Sequence, residues 1–433
     1  HSQFQRVNKE IADAQDPRLV FFGDSITWMW SLGPEKRNAS DIWNKRFSPY
    51  NPVNMGNSGD ITPVMLYRVT HGNLDFPDNH NPKAAVLLCG TNNFVVTKSD
   101  GGNVQWNLGP DCPPADAAAG IRAIAQVFRR RLPETRVIMM AILPVKNKTK
   151  WPKCQKVNEI NAAYKYNSNE VIYLNLQDRF LLEDGSINPE LFTDGTHLTA
   201  AGYNVWADSI DPVISAIMKS PPLKPTKIMH LGGSVTEGRN SATSYRRYLD
   251  GMLRRQGRLI DFTGSRTRHN NNQTEPASYQ YDPDHEGRWN KNSKWLAENI
   301  STLLKTSTPD LAVIYTGAQD LLESEKLAEP LADEIIKNID KIVNTLRDKN
   351  KNIKIVLSQV LPLKGKTPQV NLLNKKIAQY AKTNTTPNSP IQPADLNTGF
   401  KAKHLTPEGT LPNQKGAKKI AKTLAKTISK MIK

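Results

Sequence analysis

Cysteine is scarce. The 433 residues hold three, at 89, 112 and 154, and none has the CxxC spacing of a structural zinc site. Acidic residues are outnumbered: 41 Asp and Glu stand against 58 Lys and Arg, for a formal charge of +17. No apolar run approaches the ~18 residues of a membrane-spanning helix, so no membrane span is expected. HExxH and the P-loop are absent, which removes the zincins and the P-loop enzymes. No Gly-x-Ser-x-Gly elbow surrounds any serine, so the hydrolase folds built on that turn fit poorly.

The basic excess is concentrated. Nine Lys and a single acid, Glu408, lie between Lys401 and Lys433. Most of these Lys fall on an amphipathic pattern, and a solvated helix face accounts for them. No RNP, zinc-finger or basic-zipper pattern accompanies them, so no nucleic-acid partner is expected. A positive surface also suits acidic glycans. No signal peptide is visible, and the opening at His1 rather than Met fits a processed or trimmed product. Cys89 ends an apolar run and reads as a buried, inert thiol. Cys112 and Cys154 lie in polar, Pro-bearing segments. They are either one disulfide of an exported protein or two free surface thiols.

The segment Lys219-Ser-Pro-Pro-Leu-Lys-Pro-Thr226 cannot continue a helix and favours an extended linker. It divides the chain into 1–218 and 227–433, each long enough for its own core. The halves read alike. Short apolar runs at 19–22, 84–89, 137–143 and 171–176 alternate with helical-period stretches at 115–131, 155–166 and 199–218. In the second half the runs are 228–231, 259–262, 311–315 and 353–361, with helices predicted over 244–255, 331–346, 370–382 and 414–433. Alternating β and α elements predict a right-handed, mostly parallel sheet covered on both faces. Active sites in such sheets lie beyond the carboxyl ends of the strands.

Four motifs stand at those ends in the first half: Gly23-Asp-Ser-Ile-Thr27, Asn54-Met-Gly-Asn-Ser-Gly-Asp60, Gly90-Thr-Asn-Asn93 and Asp194-Gly-Thr-His-Leu198. Serine needs a base to act as a nucleophile. His197 can deprotonate Ser25, and Asp194 can orient the imidazole and stabilise its cation. The tetrahedral intermediate of an ester carries an oxyanion that fixed donors must meet. The Ser25 N–H, the Gly59 N–H and the Asn92 side-chain amide are the candidates. Each motif alone is a common turn or helix cap. Their order and their placement at strand ends together favour catalysis.

These four blocks resemble the SGNH (GDSL-type) hydrolase family, whose Ser, Gly, Asn and His match Ser25, Gly59, Asn92 and His197. Ile42-Trp43 to Phe47-Ser48-Pro49, Gly72-Asn73-Leu74 and the Gly90 block extend the likeness to that family's platelet-activating-factor acetylhydrolase branch. The resemblance covers most of residues 18–218. It implies a flavodoxin-like three-layer α/β/α sandwich, two of them in tandem. It also implies hydrolysis of short acyl esters through an acyl-serine, with no cofactor and no metal. The stretch 97–115 is longer than the family's usual loop. It is either a wall of the acyl or sugar site, with Trp106 in it, or a surface insertion. Trp28 and Trp30 offer stacking faces for a sugar or pack in the core.

In the second half His230-Leu-Gly-Gly-Ser-Val-Thr-Glu-Gly238 resembles the first block again, with Ser234 at the nucleophile position, and Tyr245-Arg-Arg-Tyr248, Phe262-Thr-Gly-Ser265 and Asp282-Pro-Asp-His-Glu-Gly287 resemble the carbohydrate-acetylesterase branch. Its catalytic blocks depart from the pattern. Gln319 replaces the oxyanion Asn, and Leu411 occupies the base position, where it cannot accept a proton. His404 lacks an acid three residues earlier, where Lys401 stands. The expectation is a degenerate, silent copy of the first domain. His285, Arg288 and Trp289 are either pocket residues or, as favoured, ordinary loop residues. The chain as a whole reads as an acetylesterase acting on an acetylated glycan, sialic acid included, or on a small or lipid ester. A non-enzymatic glycan-binding role stays open for 227–433. An exported location, periplasmic or extracellular, is expected. The oligomeric state is not legible.

Overall fold

Fully buried apolar pentads such as Leu19–Gly23 and Ala84–Leu88 can be satisfied only by strands covered on both faces. The computed structural model describes residues 2–32, 39–77, 81–94, 112–240, 242–270, 281–324 and 328–432. It separates into two units, 1–224 and 225–433, dividing within the Pro-rich segment.

The first unit has strands β1 (Leu19–Gly23), β2 (Pro52–Asn54), β3 (Ala84–Leu88), β4 (Arg136–Met140) and β5 (Val171–Leu174). They form one parallel sheet in the order β2-β1-β3-β4-β5. The helices are α1 (Ser2–Asp13), α2 (Ser25–Ser31), α3 (Ser40–Phe47), α4 (Thr62–Thr70), α5 (Pro114–Arg131), α6 (Trp151–Ala162) and α7 (Ala200–Lys219). Helices α4, α5 and α6 pack side by side, and α3 packs on α7. The α3/α7 side is aromatic: Phe21, Trp30, Trp43, Phe47, Tyr203 and Trp206 share one buried cluster. The Trp30 and Trp206 rings lie 4.4 Å apart.

The second unit repeats the plan. Its strands are β6 (Thr226–Gly232), β7 (Ile260–Thr263), β8 (Glu286–Gly287), β9 (Leu311–Tyr315), β10 (Lys354–Ser358) and β11 (Ile391–Ala394). The order is β11-β10-β9-β6-β7, with the short β8 also paired to β6. Its helices are α8 (Ser234–Glu237), α9 (Tyr245–Arg255), α10 (Ser293–Leu303), α11 (Ala318–Glu323), α12 (Ala328–Lys349), α13 (Thr367–Asn384) and α14 (Gln414–Ile428). Helices α9 and α14 share one apolar core cluster with the sheet, and α10, α12 and α13 share another. No helix among the described residues is long and apolar enough to cross a membrane.

Besides the two-residue β8, two strands escape the sequence pattern. β2 has three residues and opens on a proline, and β11 reads Ile-Gln-Pro-Ala with two exposed residues. Both are edge strands, where proline and polar residues are tolerated. Cys112 and Cys154 are not paired, and the surface placement expected of Cys154 is overturned, whereas Cys112 is half-exposed. All three cysteines are free, and Cys154 is buried. It sits on the core-facing side of α6, where burial pushes its thiol up to about 12.

Candidate active site

Strand β1 delivers the nucleophile. It ends at Gly23, where a Cβ would come within 2.0 Å of Thr27 Oγ1 and 2.6 Å of the Leu88 carbonyl. Only glycine lets the chain turn there into α2. Asp24 caps that helix by accepting from the Ile26 N–H at 3.0 Å. Its carboxylate is fully buried, and Oδ2 has no hydrogen-bond partner among the described residues. Burial raises its pKa to about 6, against the opposing pull of the Ile26 hydrogen bond and the charges of His197 and Lys150. Ser25 follows at the start of α2. Behind it, the Tyr203 hydroxyl donates to the Ile26 carbonyl at 2.7 Å and ties α2 to α7.

The loop before α7 carries base and acid. His197 Nε2 lies 2.9 Å from Ser25 Oγ, and His197 Nδ1 lies 2.8 Å from Asp194 Oδ2. An ionised Asp194 can only accept, so Nδ1 carries the proton and Nε2 is free to take one from serine. The other oxygen, Oδ1, accepts from the backbone N–H groups of Thr196 and His197 at 3.1 and 2.9 Å. Partial burial works against this charge. The hydrogen bonds from the His197 ring and backbone and from Thr196 outweigh it and hold the carboxyl well below the usual range. The turn is anchored to the loop after β4, where the Lys146 N–H donates to the Gly195 carbonyl at 2.8 Å.

Two further loops supply candidate oxyanion donors. Gly59 has φ +81°, and a Cβ there would meet nothing within 4 Å. The glycine is needed for its backbone conformation rather than for space. Asn92 opens a short turn after β3, and its Nδ2 donates to the Asp60 carbonyl at 3.2 Å. The two donor loops are thereby fastened together at the residue after Gly59.

Sequence reading passed over what holds the Gly59 loop. Asp60 and Arg68 form a buried ion pair. Asn57 Nδ2 donates to Asp60 at 2.6 Å. Arg68 also donates to the Asn73 side chain at 2.8 Å and to the Met55 carbonyl at 2.6 Å. Asn54 clamps the loop to α2: its Nδ2 donates to the Thr27 carbonyl at 2.9 Å, and its Oδ1 accepts from the Gly56 N–H at 2.9 Å. A charged residue deep in an otherwise amphipathic helix, Arg68 in Thr62–Thr70, was the available signal.

Of the tryptophans, Trp30 is fully buried and Trp28 is half-buried against the same core. Core packing therefore accounts for Trp30. Trp106 and positions 97–111 lie outside the described residues.

The second unit can be aligned on the first by its hydrogen bonds. The Arg288 N–H reaches the Gly232 carbonyl at 2.9 Å, as the Asn57 N–H reaches Gly23 at 3.0 Å. Asn290, at φ +54°, therefore stands where Gly59 stands, and Lys291 replaces Asp60. The Gly287 N–H donates to His285 Nδ1 at 2.9 Å, so buried His285 does the work of Asn54. The bridge Leu405–Pro412 repeats Phe192–Leu198, and the Thr406 N–H reaches the Leu411 carbonyl as that of Thr193 reaches His197, both at 2.8 Å. Leu411 thus occupies the place of His197. Ser234 Oγ accepts from the Asn290 N–H at 2.9 Å and donates to Asn290 Oδ1 at 3.3 Å. Gln319 donates to Glu323 at 2.7 Å.

The sequence model of the GDSL-like lipase/acylhydrolase family matches residues 21–205 and again 230–419. Platelet-activating factor acetylhydrolase IB subunit alpha2 of Homo sapiens is 28% identical over 220 residues, 50% of this chain and 84% of that protein. Subunit alpha1 of Pongo abelii is 30% identical over 198 residues, 45% of this chain and 74% of that protein. Among solved structures, a carbohydrate esterase family 3 from Talaromyces cellulolyticus is 26% identical. It covers 48% of this chain and 97% of its own, with a TM-score of 0.43. A Clostridium thermocellum family 3 carbohydrate esterase is 27% identical over 48% of this chain and 97% of its own, with a TM-score of 0.40.

Proposed function

The chain belongs to the GDSL-like lipase/acylhydrolase family and is a carboxylic ester hydrolase; from that premise we propose that its first unit removes acetyl groups from an acetylated carbohydrate through an acyl-Ser25 intermediate. The observation that carries the chemistry is the unbroken relay from Ser25 through His197 to Asp194, at 2.9 and 2.8 Å.

The reaction follows from those contacts. Ser25 Oγ attacks the ester carbonyl while His197 Nε2 takes its proton. Negative charge develops on the carbonyl oxygen, where the N–H groups of Ser25 and Gly59 and the Asn92 amide are its donors. As the intermediate collapses, the imidazolium returns the proton to the departing alkoxide, and a free hydroxyl leaves. Water then attacks the acyl-serine with His197 again as base, and the imidazolium returns that proton to Ser25 Oγ as acetate is released.

A polar substrate is favoured by what borders the relay. Asn57, Ser58, Asn92, Thr193 and Thr196 belong to the surrounding loops. The positive charge of the chain suits an acidic glycan such as an acetylated sialic acid. The likeness to the acetylhydrolase subunits favours a second reading, a small or lipid acetyl ester. We further propose that the second unit is catalytically silent, because leucine stands at its base position.

Acetate release separates the readings. Wild type and Ser25→Ala are compared on p-nitrophenyl acetate, longer p-nitrophenyl esters, an acetylated choline phospholipid, acetylated sialic acid, acetylated xylan and chitin oligomers. Ser25-dependent release from a sugar at a higher kcat/KM than from the phospholipid supports the carbohydrate reading. The reverse order overturns it.

A further inference from the structure

The degenerate position in the second unit is not filled in. A cavity of about 280 Å³ opens over Ser234, and a second of about 170 Å³ adjoins it through Ser234, Val235, Arg239 and Leu411. The first lies just below the ~300–1,000 Å³ of drug-sized ligand sites and has room for one sugar ring. Its lining combines Ser234, Arg239, Trp289, Asn290, Lys291 and Gln319. The described residues lining the two cavities include two cations and no carboxylate.

We propose that this cavity is a non-catalytic binding site for an acidic pyranose, a sugar ring carrying a carboxylate. Three observations carry the assignment. The first is a charge reversal at equivalent positions. Asp60 is buried and paired with Arg68 in the first unit, whereas its counterpart Lys291 is exposed and holds its Nζ 5.7 Å from the Trp295 ring centroid. Lys291 itself lines the cavity, with its ammonium resting on an indole just outside the lining. Arg239, also exposed, brings a guanidinium that can grip a carboxylate with two parallel hydrogen bonds. The carboxylate of Glu408, which lies outside the lining, also senses Arg239. The second is the half-buried indole of Trp289, an apolar face for the C–H side of a pyranose. The third is polar: Ser234, Asn290, Gln319 and Thr410 supply both donors and acceptors for ring hydroxyls. Leu411 removes the base, so a bound ester would be held and not cut.

This inference rests on the silent second unit and not on the acetyl-carbohydrate reading of the first. It is tested on the full chain carrying Ser25→Ala, by titration calorimetry with ligand-observed NMR. The probes are methyl β-D-glucuronide, its uncharged methyl ester and methyl β-D-glucoside. The expected result is saturable one-site binding of the glucuronide, weakened by salt and at least about tenfold weaker for the two neutral sugars, in line with the loss of a charged hydrogen bond. Arg239→Gln and Lys291→Gln, both at exposed positions, should each weaken it about tenfold. Trp289→Ala should abolish it, and Trp289→Phe should restore part of it. In the otherwise wild-type chain, none of these changes should alter p-nitrophenyl acetate hydrolysis. Absence of saturable glucuronide binding overturns the proposal. So does equal binding of the neutral sugars, or binding indifferent to Arg239→Gln and Lys291→Gln in variants whose thermal unfolding matches the parent.

Discussion

Ser25 Oγ lies 2.9 Å from His197 Nε2 although 172 positions separate the two residues in sequence. The pair is assembled by β1 at one end of the unit and the loop before α7 at the other, so the fold must be complete before the relay exists. Ser25→Ala or His197→Ala should lower kcat by about 10⁴-fold or more, with little change in thermal unfolding. Asp194→Asn should cost a similar factor, since it leaves the imidazole in the wrong tautomer. Steady-state rates on p-nitrophenyl acetate, corrected for active-site content, measure all three. Residual turnover within tenfold of wild type would reject the relay.

The Asn92 side-chain amide is expected to act on the transition state. Asn92→Ala should lower kcat by about 10²–10³-fold, or ~3–4 kcal/mol of barrier, with KM changed far less. A rise in KM at constant kcat would show instead that Asn92 only binds substrate.

Asp24 gives a pH dependence with an unusual sign. Its folded pKa, raised to about 6, lies above the ~3.9 of an unfolded aspartate. Between those values the folded state binds more protons, so stability falls as pH rises through the window and stays lower above it. Asp24→Asn can keep the cap on Ile26 without the buried charge. It should flatten this part of the curve and stabilise the protein near pH 8 by at most about 3 kcal/mol. Urea unfolding at pH 5 and pH 8 provides the measurement. Parallel shifts at both pH values would contradict a titrating Asp24.

Arg68 and Asp60 are both nearly inaccessible. Removing the cation alone strands a buried carboxylate. Arg68→Ala should therefore cost about 3–5 kcal/mol and, because Asp60 follows Gly59, reduce kcat in the fraction that stays folded. A double change, Asp60→Asn with Arg68→Met, should recover part of the stability. Denaturation midpoints for the wild type and these two variants decide the point.

Ser234→Ala should leave esterase activity unchanged, because Leu411 offers no base. A matching loss of rate on p-nitrophenyl acetate would show that the second unit turns over substrate.

Ser25 was readable because its short run follows the apolar run of β1, and strand ends are visible as the close of apolar runs; Asp194 and His197 were readable because both lie in one short run before the last helix of the unit. Gly23-Asp-Ser and Asp194-Gly-Thr-His carry their geometry locally, so their spacing alone implied it. The Asp60–Arg68–Asn73 network was not readable in the same way. Its members are polar residues whose burial depends on α4 packing over the Gly59 loop, and no local pattern announces that. Helices α1, α3, α4, α8, α10 and α11 were missed, each of twelve residues or fewer. Cys154 was misplaced because Pro152 and the surrounding lysines suggested a loop, where the proline in fact sits in the first turn of α6. Trp289 was read as ordinary loop, and it lines a cavity. Only the register supplied by the Arg288–Gly232 hydrogen bond relates it to the first unit's site.

In the first unit, Asn158 closes two hydrogen bonds on Ile142, at 2.8 and 2.9 Å. In the second, Asn374 closes the same two on Val360, at 2.7 and 2.9 Å. The two halves thus serve as each other's control experiment. A side chain retained opposite a leucine owes its survival to architecture, whereas one found only beside His197 owes it to chemistry. By that comparison, a buried amide such as Asn158 can be sorted from a working one without a single additional sequence.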